Sequence, residues 1–202
     1  MQRITLKKCV TNILNSRRTN GMTNALQIKL LSDNATKPKR ADDESAGYDI
    51  YAAETVILEP QQKALIATDL AVNIPKGYVG LLTSRSGVSS KTHLVVETGK
   101  IDAGFQGHMR INVKNDIGTL QDEYNSFEND DGEIIEGYLL RDISGEYLKK
   151  LHVMPQSYLI NKGDRLAQLV IVPIWTPELE PVEEFESETA RGQNGFGSSG
   201  TR

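Results

Sequence analysis

What constrains this chain most is its punctuation. From Met22 onward, short apolar runs rich in Val, Ile and Leu are bounded by Gly, Pro, Asn and Asp, and no segment of 12 or more residues keeps a clean 3.6-residue period before residue 138. The runs are LQIKLL (26–31), YDIYAA (48–53), TVIL (55–58), ALIATDLAV (64–72), YVGLLT (78–83), MRINVKN (109–115) and LAQLVIVPI (166–174). Turn signals lie between them at Glu59–Pro60, at Pro75, Lys76 and Gly77, and at Lys162, Gly163 and Asp164. Many short strands with regular turns predict an all-β sandwich, jelly roll or barrel.

At 202 residues the chain is long enough for one domain with a real core and too short to expect two. Its 38% hydrophobic and 25% charged residues fit a soluble globular protein, and no run approaches the ~18 apolar residues of a membrane helix. The single cysteine, Cys9, excludes an internal disulfide and a cysteine-based zinc site, and points to a reducing cytoplasm. The net charge of −4 gives no overall argument for a nucleic-acid partner. It is unevenly spread: residues 1–21 carry Arg3, Lys7, Lys8, Arg17 and Arg18 with no acid, leaving −9 on the rest. A polyanionic ligand would have to be met by local donors, which backbone N–H groups and a bound cation can supply.

Residues 1–21 are set outside the fold. An upstream start, leader or vector sequence is preferred there over a basic targeting or nucleic-acid-binding arm. The domain is expected over 22–175, with an arm over 176–202 that is poor in apolar residues and ends rich in glycine. Residues 116–161 break the strand rhythm, with acids at 122, 123, 128, 130, 131, 133 and 136. A hairpin around Asp131 and Gly132 and a short helix near 144–152 are expected in this insert. Connections this long are usually functional or form a small subdomain.

Five segments carry residue types suited to chemistry. Ser84-Arg85-Ser86-Gly87 follows a strand, where a hydroxyl, a guanidinium and a glycine amide can make a concave phosphate site, although such a tetrapeptide alone is more often a polar turn. The segment from Gly99 to Gly107 looks like a hairpin whose turn sets Asp102 beside Phe105, either a base next to a sugar-stacking ring or an Asx-type turn with a core aromatic. Asp49, in AGYD, can reach a metal-bound water or cap a turn, and Gln168, in GDRLAQ, can point at a ligand. Last, RGQNGFGSSG (191–200) has the composition of a flexible tail, yet Arg191 and Phe196 are residues that a spacer does not need. Glycine amides could wrap a polyphosphate there while Phe196 stacks on a flat ring.

In this order and spacing the segments resemble the five motifs of the trimeric dUTPases: AGYDIYAAE, SRSG, GKIDAGFQG, KGDRLAQLVIVP and RGQNGFGSSG. The likeness runs from about residue 26 to 200, the 116–161 insert apart. It implies a jelly roll, a homotrimer with sites shared between subunits, and Mg²⁺-dependent hydrolysis of dUTP to dUMP and pyrophosphate. Asp102 would be the general base. Arg85, Ser86 and Gly87 would serve the α and β phosphates, with Gln168 on the phosphate side from a neighbouring subunit. The backbone of Gly99, Lys100, Ile101 and Asp102, with Arg110 nearby, would read the uracil edge, and Phe105 would pack on the deoxyribose. From the arm of a further subunit would come Arg191, Phe196, Gly197, Ser198 and Ser199. The phosphates would carry the Mg²⁺, with Asp49 touching it only through water.

Two departures stand out: Phe105 where the family usually has Tyr, and Ser84 where Pro is common. The acidic insert resembles that of staphylococcal phage dUTPases, as do VGLLTSRSGVSSKTHLV and QLVIVPIWTPELEPVEEFES. That likeness implies a second role as a derepressor binding a pathogenicity-island repressor, and residence in the host cytoplasm. Deleting 118–158 is then expected to spare hydrolysis and weaken repressor binding. The alternatives are a dCTP deaminase-like enzyme, which generally lacks the closing arm, and a regulatory binding protein without activity.

Overall fold

The computed structural model describes residues 25–118, 125–128, 132, 134–137, 140–148, 156–187, 189 and 192. All seven apolar runs form strands: β1 (Gln27–Leu30), β2 (Tyr48–Tyr51), β3 (Val56–Leu58), β4 (Lys63–Asn73), β5 (Tyr78–Ser84), β8 (Met109–Asn115) and β14 (Arg165–Pro173). Between them lie a single helical turn, α1 (Ser86–Ser89), and two short strands, β6 (Leu94–Val96) and β7 (Gly99–Ile101). The insert holds β9 (Asn125–Glu128), β10 (Ile134–Gly137), β11 (Leu140–Asp142), β12 (Tyr147–Leu148) and β13 (Tyr158–Ile160).

Three four-stranded sheets have the orders β1-β4-β8-β6, β2-β14-β5-β7 and β12-β11-β13-β3, and β9 with β10 forms a separate hairpin. Sheet neighbours are rarely consecutive in the chain, so strands cross repeatedly between layers, as in a jelly roll. Alternation explains why these segments pair. In β8, Met109, Ile111 and Val113 are buried, whereas Arg110 faces solvent and Asn112 and Lys114 are half-buried. They join Ile50, Leu58, Ile66, Leu70, Leu166 and Leu169 in one core. Each such side chain contributes about 1.5–3 kcal/mol by leaving water.

The insert departs from expectation in two ways. The two arms of the expected hairpin pair antiparallel, with Ile134 of β10 opposite Glu128 of β9, while Asp131 lies outside the described residues. No helix forms over 144–148: a turn follows Asp142 and leads into β12. Asp142 explains this, because its carboxylate accepts the N–H groups of Ser144 and Glu146 and so closes a turn instead of releasing those donors to a helix. Residues 149–152 lie outside the described region.

The insert also does not end at 161 as a separable unit. Its β13 is core: Tyr158 and Ile160 are fully buried and pair with Leu58 and Val56 of β3, while β11 adds to β13 in parallel. The expectation for the 118–158 deletion therefore needs correction. That cut removes Leu140 and Tyr158, both fully buried, and should leave the protein insoluble or without a cooperative melting transition. Removing only 119–138, the β9–β10 hairpin, should leave the melting temperature within a few degrees of the intact chain.

Candidate active site

Antiparallel register gathers three of the predicted segments. Gln168 lies opposite Asp49 of β2 on one side and Thr83 of β5 on the other, so the three strands bring Asp49, Gln168 and the end of β5 side by side. Gln168 Nε2 donates to Ser84 O at 3.2 Å. Arg85 then turns back over the group. Its Nε donates to Asp49 Oδ1 at 2.7 Å and its NH1 to Arg165 O at 3.1 Å, while Arg165 NH1 approaches Asp49 Oδ2 at 3.4 Å.

Asp49 thus has a different first partner from the one expected. Both its oxygens face guanidinium groups, and its side chain is only 13% exposed. At that burial the carboxylate and Arg85 each offset the other's desolvation, and removing one would strand the other. Any contact with a hydrated metal would have to use the lone pairs left over.

Arg85 leads directly into α1. The N–H groups of Val88 and Ser89 both donate to Arg85 O, so the turn's own bonding begins at Val88 and the preceding amides of Ser86 and Gly87 lie ahead of it. Val88 is buried and pins the turn, while Ser86 and Gly87 are exposed. A side chain added at Gly87 would meet nothing within 4 Å, and its φ is not left-handed. The fold of the chain itself therefore does not require glycine at 87. A ligand approaching the backbone closely would. Beside it opens a cleft of about 590 Å³ lined by Tyr51, Arg85, Gly87, Val88, Lys91, Ile143, Ser144, Gly163, Asp164 and Arg165.

The third segment is elsewhere. Gly99, Lys100 and Ile101 form β7, opposite Leu82, Leu81 and Gly80 of β5. Asp102 follows Ile101, so it lies beyond Gly80, at the start of β5, whereas Ser86 follows its end. Asp102 is level with Val79, and the extended backbone from there to Arg85, at roughly 3.3 Å per residue, separates Asp102 from Ser86 by about 20 Å within one chain. Asp102 is exposed and opens a β-turn in which the Phe105 N–H donates to Asp102 O at 3.1 Å, with Gly104 at φ +91° in the position that favours glycine. The Phe105 ring lies over Gly107, where a Cβ would stand 2.7 Å from Cζ, and it remains 46% exposed. Arg110 is exposed, opposite Ala67 of β4.

The expected hairpin over this segment is not what forms. β7 pairs with β5, whereas β8 pairs with β4 and β6, so residues 102–108 cross between two sheets. Arg191, Phe196, Gly197, Ser198 and Ser199 lie outside the described residues. Inspection of the motifs also missed Tyr51, Lys91, Asp164 and Arg165 as wall residues of the cleft. Only Asp164 and Arg165 carried a signal, as a charged pair after the Gly163 turn.

Comparison with known proteins shows the family to which the chain belongs. A dUTPase family model matches residues 33–119 and 132–200. The deoxyuridine 5'-triphosphate nucleotidohydrolase of Mycobacterium marinum is 33% identical, the match spanning 89% of this chain and 97% of that protein. The dUTPase of Staphylococcus bacteriophage 80alpha, solved with dUpNHpp, is 59% identical with a TM-score of 0.77, covering 88% of this chain and 99% of that one. It is described as one of the phage dUTPases that control transfer of virulence genes by a proto-oncogenic G protein-like mechanism. The dUTPase of S. aureus phage phi11, solved to visualise its species-specific insert, is 57% identical with a TM-score of 0.72, covering 82% of this chain and all of that one. An aspartate variant of the phi11 enzyme reveals how a structural Mg(II) ion is coordinated. With the ordered motifs, the jelly roll and these relatives in agreement, the chain belongs to the dUTPase family of nucleotide-hydrolysing enzymes.

Proposed function

We propose that the chain hydrolyses dUTP to dUMP and pyrophosphate in a homotrimer, with Ser86, Gly87 and Gln168 on the phosphate side of each site and Asp102 reaching that site from a neighbouring subunit. The observation that carries this reading is the register that sets Asp102 near the start of β5 and Ser86 beyond its end, an interval of about 20 Å by strand rise. A carboxylate acts as a base only within hydrogen-bond reach of its water. A second copy supplies what the first cannot. The exposure of Trp175 (88%), Leu179 (93%) and Phe185 (89%) along the carboxy-terminal segment supports association, since apolar side chains left in water favour burial against a partner.

In the reaction Asp102 accepts a proton from water as the oxygen attacks the α-phosphorus in line. The α–β anhydride bond breaks and pyrophosphate leaves with its charge held by donors on the opposite side. Among the described residues no group of three or more His, Cys, Asp or Glu could hold a metal. Mg²⁺ would be carried mainly on the triphosphate, with Asp49 reaching it through water, since Mg²⁺ keeps several waters and is commonly held by substrate phosphates. When bound, Mg²⁺ supplies neutralisation of phosphate charge. Arg85, fixed by Asp49, braces the segment that meets the phosphates. Gly99, Lys100 and Ile101 offer a backbone edge for uracil, and Phe105 a partly exposed ring for the deoxyribose, with Arg110 nearby. The arm residues Arg191, Phe196, Gly197, Ser198 and Ser199 would close over the nucleotide from a third subunit.

Gly87→Ala tests the phosphate seat. Because nothing within 4 Å opposes the added methyl, the melting temperature should stay within about 2 °C, while KM for dUTP rises about tenfold or more, as loss of ground-state binding requires. An unchanged KM would remove Gly87 from the site. Release of pyrophosphate with no ammonia distinguishes this reading from a dCTP deaminase.

A second role, binding a pathogenicity-island repressor as a derepressor, is supported by the description of the 80alpha relative and by the β9–β10 hairpin, which stands outside the three sheets. Removal of 119–138 should retain hydrolysis and weaken binding of a staphylococcal pathogenicity-island repressor. Equal binding by the shortened and full chains would exclude the hairpin from that surface.

A further inference from the structure

The insert does more than project from the fold. Its β11–β12 turn touches the backbone just after α1 and lines the cleft together with Gly163, Asp164 and Arg165. Gly145, at φ +82°, sits so close to the segment after α1 that a Cβ would stand 2.5 Å from the Lys91 carbonyl oxygen. Lys91 in turn donates its N–H to Val88 O, continuing the bonding of the turn that begins at Ser86. On the other side, Ile143 and Ser144 share the cleft with Arg85, Gly87, Asp164 and Arg165.

The turn is stiff. Asp142 Oδ1 accepts from Ser144 N–H at 2.8 Å, Ser144 Oγ at 2.6 Å and Glu146 N–H at 3.1 Å, and Gly145 N–H donates to Asp142 O at 3.0 Å. The Arg141 guanidinium lies 4.5 Å over the Tyr147 ring across the base of the turn. Partial burial pushes the Asp142 carboxyl up, but the hydrogen bonds together outweigh it and hold the group below the usual carboxylate range. Burial pushes Asp164 the other way, and the negative charge of Asp142 adds to that rise. The insert thus meets motif two by contact and motif four through its field.

We infer that the β11–β12 turn is a positioning element for the phosphate cleft, with Gly145 seated on Lys91 holding α1, and so Ser86 and Gly87, in register with Arg85 and Arg165. This rests on the proposed phosphate role of Ser86 and Gly87. Its physical basis is that a four-residue turn with Val88 as its one buried side chain, anchored at its start by Arg85, has few contacts of its own. A second point of support, on the backbone immediately after it, limits how far it can rock. The sequence of the insert would then tune nucleotide affinity as well as any partner contact.

The test is Gly145→Ala in the full chain, with Gly77→Ala as control. Gly77 has a similar φ of +88° but nothing within 4 Å of an added Cβ, so it carries the backbone strain without the contact. Gly145→Ala should raise KM for dUTP and the Kd for dUpNHpp by about tenfold with kcat within about twofold, whereas Gly77→Ala should leave both constants unchanged within the same margin. Should Gly145→Ala fail to fold, Ser144→Glu serves instead, since Ser144 is exposed and lines the cleft. It should raise KM about threefold or more, an increase that shrinks in high salt as charge repulsion is screened. KM unchanged in a folded Gly145→Ala variant, or unchanged in Ser144→Glu, overturns the inference while leaving dUTP hydrolysis standing. A wild-type chain that neither hydrolyses dUTP nor binds dUpNHpp overturns the proposed function itself.

Discussion

Asp102→Asn is expected to lower kcat for dUTP by about 100- to 10,000-fold, the range that a positioned general base supplies, while binding of dUpNHpp changes little. Asparagine keeps the shape of the side chain and loses only its basicity. The turn should survive, because the acceptor for the Phe105 N–H is the backbone carbonyl of residue 102 and not its carboxylate. Asp102 is also exposed, so the fold gives up no buried charge or packing. Steady-state kinetics with pyrophosphate detection, beside calorimetric titration of dUpNHpp, separates the two effects. A loss in kcat smaller than about 100-fold would show that another group takes the proton.

The second large effect is a recovery. Under the proposed shared-site trimer, Asp102→Asn and Gln168→Ala are each expected to be nearly inactive alone, one lacking the proposed base and the other a proposed phosphate-side donor. If every site takes Asp102 from one subunit and Gln168 from another, unfolding and reassembling the two together in equal amounts should restore about a quarter of the sites, as random assortment on a symmetric ring requires. The reason is the length of β5. Gly80 lies opposite Ile101 at one end of the strand and Thr83 opposite Gln168 near the other, so no side-chain movement within a chain closes the gap. Activity no greater than the sum of the two parents would place Asp102 and Gln168 of the same chain in one site and contradict the sharing.

Much of the fold was legible without coordinates, because alternation and turn residues act locally. The Val, Ile and Leu runs of β4, β5, β8 and β14 announce one buried face each, and Pro75 and Gly77 end a strand whatever lies beyond them. The short strand β6 was missed for the same reason: with three residues, Leu94–Val96 is too brief to display a period. The helix expected near 144–152 failed over 144–148 because Asp142 captured the amides that would have begun it.

The site divides along a similar line. Which groups are present, a carboxylate beside an aromatic ring, a guanidinium before a glycine, a glutamine on a strand, is a matter of neighbours in the chain, and the ordered motifs of the dUTPase family could be read directly from it. What each group touches is not. Asp49 had been assigned to the water around a metal, and only the pairing of β2 with β14 and β5 set it between Arg85 and Arg165. The hairpin expected around Asp102 had the right turn and the wrong partner strand. The insert reads as a functional connection or small subdomain set apart from the core, whereas β13 is core and Gly145 rests on Lys91. Turn chemistry acts over three or four residues, so sequence determines it. Pairing between segments 50 to 120 residues apart is decided by which faces can be buried together, and that competition is resolved only when the whole chain has folded.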